Sequence, residues 1–253
     1  MSDLPTLHID GHRATIRLNR PALHNRIEPP DIIELIRLLD EIDANQAVRV
    51  VVFAATGKSF SSGFHIGEIA AAGRDSSTAG FGDLTDRVEQ LRPPSIAALN
   101  GGVYGGSTDL ALACDFRIGV TTMAMFMPAA RLGLHYQPGG MQRYVSRMGL
   151  DTAKRLFLTG DKLDGPELLR AGFLTDLVAP DALEAKVDAL AARLAANAPL
   201  AVQGMKRALN DIARGNADLA AIEARARANR DSADLKEGQQ AWMQKRTPNF
   251  TGR

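Results

Sequence analysis

The chain has 253 residues, 45% of them apolar, with 30 basic and 29 acidic side chains and a net charge of +1. That length allows one large α/β domain or a domain with a helical appendage, and the apolar content supports a sizeable core and excludes wholesale disorder. The charge balance gives no footprint for nucleic acid or an anionic membrane, no uncharged run of about 18 residues could span a bilayer, and one cysteine excludes an intrachain disulfide framework.

Met1-Ser2-Asp3-Leu4-Pro5 lacks the basic and apolar regions of a signal peptide, and with the single thiol this suits a cytoplasmic setting. Ala14-Thr15-Ile16-Arg17-Leu18 reads as a strand. Pro29-Pro30-Asp31 opens a helix whose Ile32, Leu35, Ile36, Leu39 and Ile42 recur at helical spacing. Val48–Ala54 is apolar nearly throughout, as a strand covered on both faces should be. Ser95–Leu99 reads as a third strand, and Asp115–Val120 and Ala124–Met127 as two more. After Gly139 the texture turns helical, with 182–197, 200–214 and 217–230 rich in alanine, leucine and paired charges. Strand–helix–strand order predicts right-handed crossovers and a mostly parallel sheet. No repeat or low-complexity linker divides the chain. It reads as a core over 1–197 with a helical extension over 198–253, forming one functional unit. The late helices could cover a site or pack against another subunit. Cys114, in the run Leu110–Cys114, reads as a small core residue.

Two glycine-bearing turns each follow a predicted strand. They are Phe60-Ser61-Ser62-Gly63-Phe64-His65 and Asn100-Gly101-Gly102-Val103-Tyr104-Gly105-Gly106-Ser107, the second running into a helix over Thr108–Cys114. Glycine lets a ligand approach the backbone, and a helix start leaves N–H groups unpaired at the positive end of its dipole. Such a site suits an oxygen that becomes anionic during reaction. Tight turns alone would also use these residues. Neither G-x-G-x-x-G nor the phosphate-loop motif is present at the second turn, so a nucleotide fingerprint is excluded there.

The chain resembles the crotonase superfamily, the enoyl-CoA hydratases and isomerases. The resemblance runs through Ile16–Pro21 with Asn25, Phe60–Gly63, Ile96–Gly101 with Gly105-Gly106, and Ala111–Asp115. It continues in Gly139–Arg143, Leu158-Thr159-Gly160, Ala171-Gly172-Phe173 and Lys245–Phe250. No single segment is specific; their shared order and spacing carry the resemblance. It implies an α/β fold, a crotonase-type spiral of ββα units with a C-terminal helical trimerisation region, assembled as a homotrimer or homohexamer. It implies an acyl-CoA thioester substrate and no separate cofactor, coenzyme A being part of the substrate. By position, the two N–H donors to the thioester carbonyl fall on Phe64 and Gly106. Contacts to coenzyme A fall on Asn25, Arg26, Ser62, Phe64, Ile66 and Gly106.

Hydration in this family uses two glutamates. The first position carries Asp109 here, where a bare reading is an early-helix acid complementing the dipole. The second carries Ala129, which moves no proton. The resemblance therefore implies isomerisation, or other single-carboxylate chemistry, ahead of two-glutamate hydration. His135 is a candidate replacement acid, with an ordinary loop histidine as its plain alternative. Tyr136 reads as a pocket wall or surface residue, Arg131 as a solvated side chain or one facing a substrate carboxylate, and Glu68 as a helix cap or auxiliary acid. Phe64 stands where the family commonly has a small residue, and His65 where it has an acid. The five histidines show no metal-binding spacing. Two other readings stand beside this one. A Ser107/His135 hydrolase follows from a further similarity to the Clp protease, with Ser107 opening its helix and His135 following Pro128-Ala129-Ala130-Arg131. A non-catalytic acyl-CoA-binding protein follows from Ala129.

Overall fold

The computed structural model describes residues 3–68 and 79–253. Its strands are β1 (Thr6–Asp10), β2 (Arg13–Leu18), β3 (Val50–Ala55), β4 (Ser59–Ser61), β5 (Ser95–Leu99), β6 (Gly102–Tyr104), β7 (Phe116–Val120), β8 (Ala124–Phe126), β9 (Lys162–Asp164) and β10 (Asp176–Val178). The helices are α1 (Pro29–Ala44), α2 (Phe81–Glu89), α3 (Gly106–Ala113), α4 (Pro138–Met148), α5 (Leu150–Lys154), α6 (Gly165–Arg170), α7 (Leu183–Ala196), α8 (Pro199–Ala213), α9 (Leu219–Arg230) and α10 (Ala233–Gln244).

One sheet has the order β1-β2-β3-β5-β7-β10 and is parallel except for the β1–β2 hairpin. Its central strands are buried, and this is why the Val48–Ala54 run carries so few polar residues. A second sheet has the order β4-β6-β8-β9. Three times the chain crosses from one sheet to the other and then forms a helix: β3-β4-α2, β5-β6-α3 and β7-β8-α4. This repeated ββα unit is the architecture the resemblance implies. β4 and β6 sit where the sequence reads only glycine-bearing turns, whereas β8 falls within the strand read over Ala124–Met127. Three residues are too few to show periodicity, so pairing with neighbouring strands decides their conformation.

Helix α1 starts behind Glu28, whose N–H donates to Asp31 Oδ2 at 2.9 Å, and it buries Ile32, Leu35, Leu39 and Ile42 as its spacing predicts. Ile66–Glu68 forms one short 3-10 turn. The side chain of Glu68, and Ile69 beyond it, lie outside the described residues. Helix α7 packs over β3, β5 and β7. Helix α8 is tied to the core at separate points. Lys206 Nζ donates to Pro93 O at 2.9 Å and Asn210 Nδ2 donates to Glu89 O at 3.1 Å. Its outer side exposes Met205, Leu209 and Ile212, and α10 exposes Trp242 and Met243. Among the described residues no helix is long and apolar enough to cross a membrane.

Cys114 is fully buried, as its apolar run predicts, and burial pushes its thiol up to about 12. At pH 8 it is therefore expected to resist a thiol reagent in the folded protein and to react fully in denaturant. Rapid stoichiometric labelling without denaturant would contradict this packing.

Candidate active site

The turn at Asn25 and the segment after β4 lie side by side as a short ladder. Ser62 N donates to His24 O at 2.8 Å, Ile27 N to Gly63 O at 2.9 Å, and His65 N to Ile27 O at 3.0 Å. In that pattern Gly63 C=O and His65 N–H face Ile27, and Phe64 N–H faces the opposite way. On that opposite side lies the Tyr104-Gly105-Gly106 turn. A β-carbon on Gly63 would stand 2.6 Å from Tyr104 O and 3.0 Å from Gly106 N, and Gly63 itself has φ +92°. Only glycine allows this approach. Gly106 is the first residue of α3, so its N–H has no intrahelical acceptor. Among the described hydrogen bonds, neither Phe64 N–H nor Gly106 N–H has an acceptor.

Ser107 joins the two turns. Its buried Oγ lies 2.8 Å from Ser61 O and 2.7 Å from Tyr104 O, and accepts from Tyr104 N at 3.1 Å. Gly105 N donates to Phe126 O at 3.0 Å, which anchors the second turn to β8. Over the donors lie two phenyl rings. Those of Phe64 and Phe81 stand 5.9 Å apart, and Phe81 Cε1 would be 2.9 Å from a β-carbon on Gly106. The extra aromatic at Phe64 thus packs against α2, giving the donors an apolar cover that strengthens any interaction with a developing negative charge.

Asp109 follows one turn along α3 and is completely buried. It is not a free acid. Arg143 Nε donates to Oδ1 at 2.8 Å and Nη2 donates to Oδ2 at 2.9 Å. The same guanidinium donates to Thr85 Oγ1 at 2.7 Å, Asp86 Oδ1 at 2.6 Å and Glu89 Oε2 at 3.1 Å. Arg214, just beyond α8, also pairs with Asp86 and Glu89. Burial opposes the charge on Arg143, but hydrogen bonds and the charges of Asp109 and Asp86 raise its pKa above the ordinary arginine value. Arg143 belongs to the Gly139–Arg143 segment, yet the sequence suggests no role for it, because 34 residues separate it from Asp109. Only folding α4 against α3 brings the two together.

The other predicted residues divide clearly. Asn25 has a buried side chain committed to its own turn: Nδ2 donates to Thr56 O and Ser59 O at 2.8 and 2.9 Å, and Oδ1 accepts from Arg20 N at 2.9 Å. The Asn25 side chain thus shapes the turn that the family resemblance places near coenzyme A. Arg26 is paired with Glu28, and His65 Nδ1 lies 2.9 Å from the same carboxylate. Burial raises the Glu28 pKa, but Arg26 and His65 outweigh it and hold the carboxyl below its usual range. Ser62 is half-buried, its Oγ donating to Leu23 O at 3.3 Å, and Ile66 is exposed. These two border the ladder on the open side.

His135 is exposed, and its Nδ1 lies 2.9 Å from Tyr136 O. Ser107 and His135 are therefore not brought together, and the hydroxyl a hydrolase would need is held between two backbone carbonyls. That corrects the Ser107/His135 reading. Ala129 is buried at the start of a 3-10 turn, where Leu134 N donates to its carbonyl at 2.9 Å. Tyr136, from the same loop, is buried rather than on the surface.

The enoyl-CoA hydratase/isomerase family profile matches residues 10–253. The chain is 32% identical over 248 residues to a crotonyl-CoA hydratase of Syntrophomonas wolfei, covering 94% of each. It is 31% identical over 247 residues to a short-chain-enoyl-CoA hydratase of Clostridium acetobutylicum, covering 95% of this chain and 94% of that one. Among solved structures, an enoyl-CoA hydratase from Bacillus anthracis superposes with a TM-score of 0.87 at 30% identity, over 98% of this chain and 99% of its own. With the repeated ββα core and the facing glycine turns, these similarities show that the chain belongs to the enoyl-CoA hydratase/isomerase family.

Proposed function

We propose that the protein binds an acyl-CoA thioester and stabilises its enolate between the N–H groups of Phe64 and Gly106, with Asp109 as the single carboxylate that moves a proton. The observation that carries this reading is the close approach of Gly63 to Gly106, with both donor N–H groups lacking an acceptor among the described residues. Both Asp109 oxygens accept from Arg143, and each keeps a further lone pair for a substrate proton. Arg143 thus orients the base.

The reaction favoured is isomerisation of an enoyl-CoA. A two-carboxylate hydration needs a second acid, and Ala129 supports its absence at the position the family resemblance assigns. Coenzyme A enters as part of the substrate and no other cofactor is required. The exposed Met205, Leu209, Ile212, Trp242 and Met243 support packing against further copies as a homotrimer or homohexamer. The single, buried thiol of Cys114 suits a cytoplasmic setting.

The test is an Asp109→Asn variant assayed by mass spectrometry with enoyl-, dienoyl-, aryl- and malonyl-type thioesters in deuterated water. Loss of a general base is expected to slow deuterium exchange at the α or γ carbon by about 10²–10⁴-fold while thioester binding persists. Undiminished exchange would remove Asp109 from the reaction. Tight binding without exchange or turnover in the wild type would instead support a non-catalytic acyl-CoA binder.

A further inference from the structure

The loop that carries Ala129 also delivers a tyrosine into the protein interior. Tyr136 is 7% exposed, and its buried hydroxyl oxygen makes no hydrogen bond of ordinary geometry among the described residues, Asp109 being the side chain near enough to influence it as a hydrogen-bond partner. A β-carbon on Gly140 would lie 2.3 Å from Tyr136 Cε1 and 2.9 Å from Asp109 Oδ2, so the phenol edge and the carboxylate flank the same point of α4. The ring itself is well packed, with the Phe157 ring 5.4 Å away, and Phe157 in turn lies 4.6 Å from the Tyr144 ring.

Tyr144 offers an internal comparison. Its hydroxyl is also buried, but it is bonded to Thr108 Oγ1. Burying an O–H without a partner is destabilising, and a phenylalanine at position 136 would fill the same space without that cost. Packing alone therefore does not account for the Tyr136 hydroxyl, which lies towards Asp109. Burial, and then the charge of Asp109, push its pKa well above the ordinary phenol value, so it remains an O–H donor at neutral pH. His135, the candidate suggested by sequence, faces outward in the same loop.

We propose that Tyr136 is the proton donor partnered with Asp109, acting on a β,γ-unsaturated acyl-CoA. This rests on the enolate reading given above. The Asp109 carboxylate takes the α-proton, and the electrons of the broken C–H bond enter a dienolate whose oxygen lies against Phe64 N–H and Gly106 N–H. Tyr136 O–H then gives its proton to the γ-carbon. The dienolate electrons restore the thioester carbonyl and form the α,β double bond. The tyrosinate takes back a proton from the Asp109 carboxylic acid, which resets both groups. No atom or electron is gained, and the product is the conjugated isomer. The donor thus lies seven residues after Ala129 in the fold of the same loop, rather than at the position the family resemblance designates for its second acid.

The experiment compares wild type, Tyr136→Phe and Asp109→Asn on a β,γ-enoyl-CoA in deuterated water. Four quantities are read: thioester affinity, α-deuterium exchange, conjugated product and Tm. Tyr136→Phe is expected to keep affinity and α-exchange, lose isomerisation by about 100-fold or more, and show an equal or higher Tm. Asp109→Asn is expected to lose exchange and isomerisation together. Wild-type isomerisation by Tyr136→Phe would overturn the proposal while leaving the enolate reading intact. A lowered Tm with parallel loss of affinity, exchange and turnover would assign Tyr136 a structural role and equally overturn it. If wild type itself neither exchanges nor isomerises the thioester, the enolate reading fails, and the role of Tyr136 falls with it.

Discussion

Arg143→Met is expected to destabilise the protein by about 3–5 kcal/mol, the cost of stripping a buried charge cluster of its shared partner. Arg143 is 1% exposed and uses every N–H of its guanidinium on Asp109, Thr85, Asp86 and Glu89. Methionine fills much of the volume but leaves the carboxylate of Asp109, which is fully buried, without its cation. Glu89 and Asp86 fare better, because Arg214 still reaches them. The loss should therefore fall mainly on the Asp109 side. Adding Asp109→Asn to Arg143→Met is expected to recover part of the stability, since a neutral amide replaces the orphaned charge. Urea unfolding of the two single variants and the double variant measures this coupling; strict additivity would show that the pair does not interact. Arg143→Lys supplies a milder comparison. It keeps the charge but cannot make the two-point contact with the carboxylate, so it should retain more stability than Arg143→Met yet orient Asp109 poorly.

Gly63→Ala should have the largest effect on chemistry. Its β-carbon would meet Tyr104 O at 2.6 Å and Gly106 N at 3.0 Å, both backbone atoms that cannot swing aside. The two turns must separate, which pulls one N–H donor out of position. Losing one such donor in an oxyanion site costs about 2.7–4 kcal/mol, or about 10²–10³-fold in turnover. The left-handed φ of +92° adds a backbone cost of about 1–3 kcal/mol to the fold. Gly133→Ala separates the two contributions, because Gly133 has φ +69° with open space where the β-carbon would go. That variant should lose stability but keep enolisation. Deuterium exchange into a bound thioester, set beside thermal unfolding, distinguishes them. Equal loss of exchange in both variants would remove the close approach at Gly63 as the cause.

These effects divide along the same line as the legibility of the chain. The buried strand β3, the helix α1 and the apolar setting of Cys114 are all visible in periodicity, because each is governed by neighbours close in sequence. The two glycine turns are visible for the same reason. A strand, a glycine turn and a helix start suffice to mark a place where backbone N–H groups lack partners; Phe64, Gly106 and Asp109 are singled out within it only by the family resemblance. The paired turns, the family motifs and the missing second acid at Ala129 all lie in local pattern.

The second sheet is different, since three-residue strands such as β4 and β6 form only when their partners are already beside them. The bidentate grip of Arg143 on Asp109, the outward turn of His135 and the burial of the Tyr136 hydroxyl are likewise products of packing between α3, α4 and the loop before α4. Periodicity reports which face a residue presents to the core. It does not report which distant charge waits there. Local sequence therefore marked the two glycine turns, whereas their close approach and the surroundings of Asp109 were decided by contacts between segments far apart in the chain.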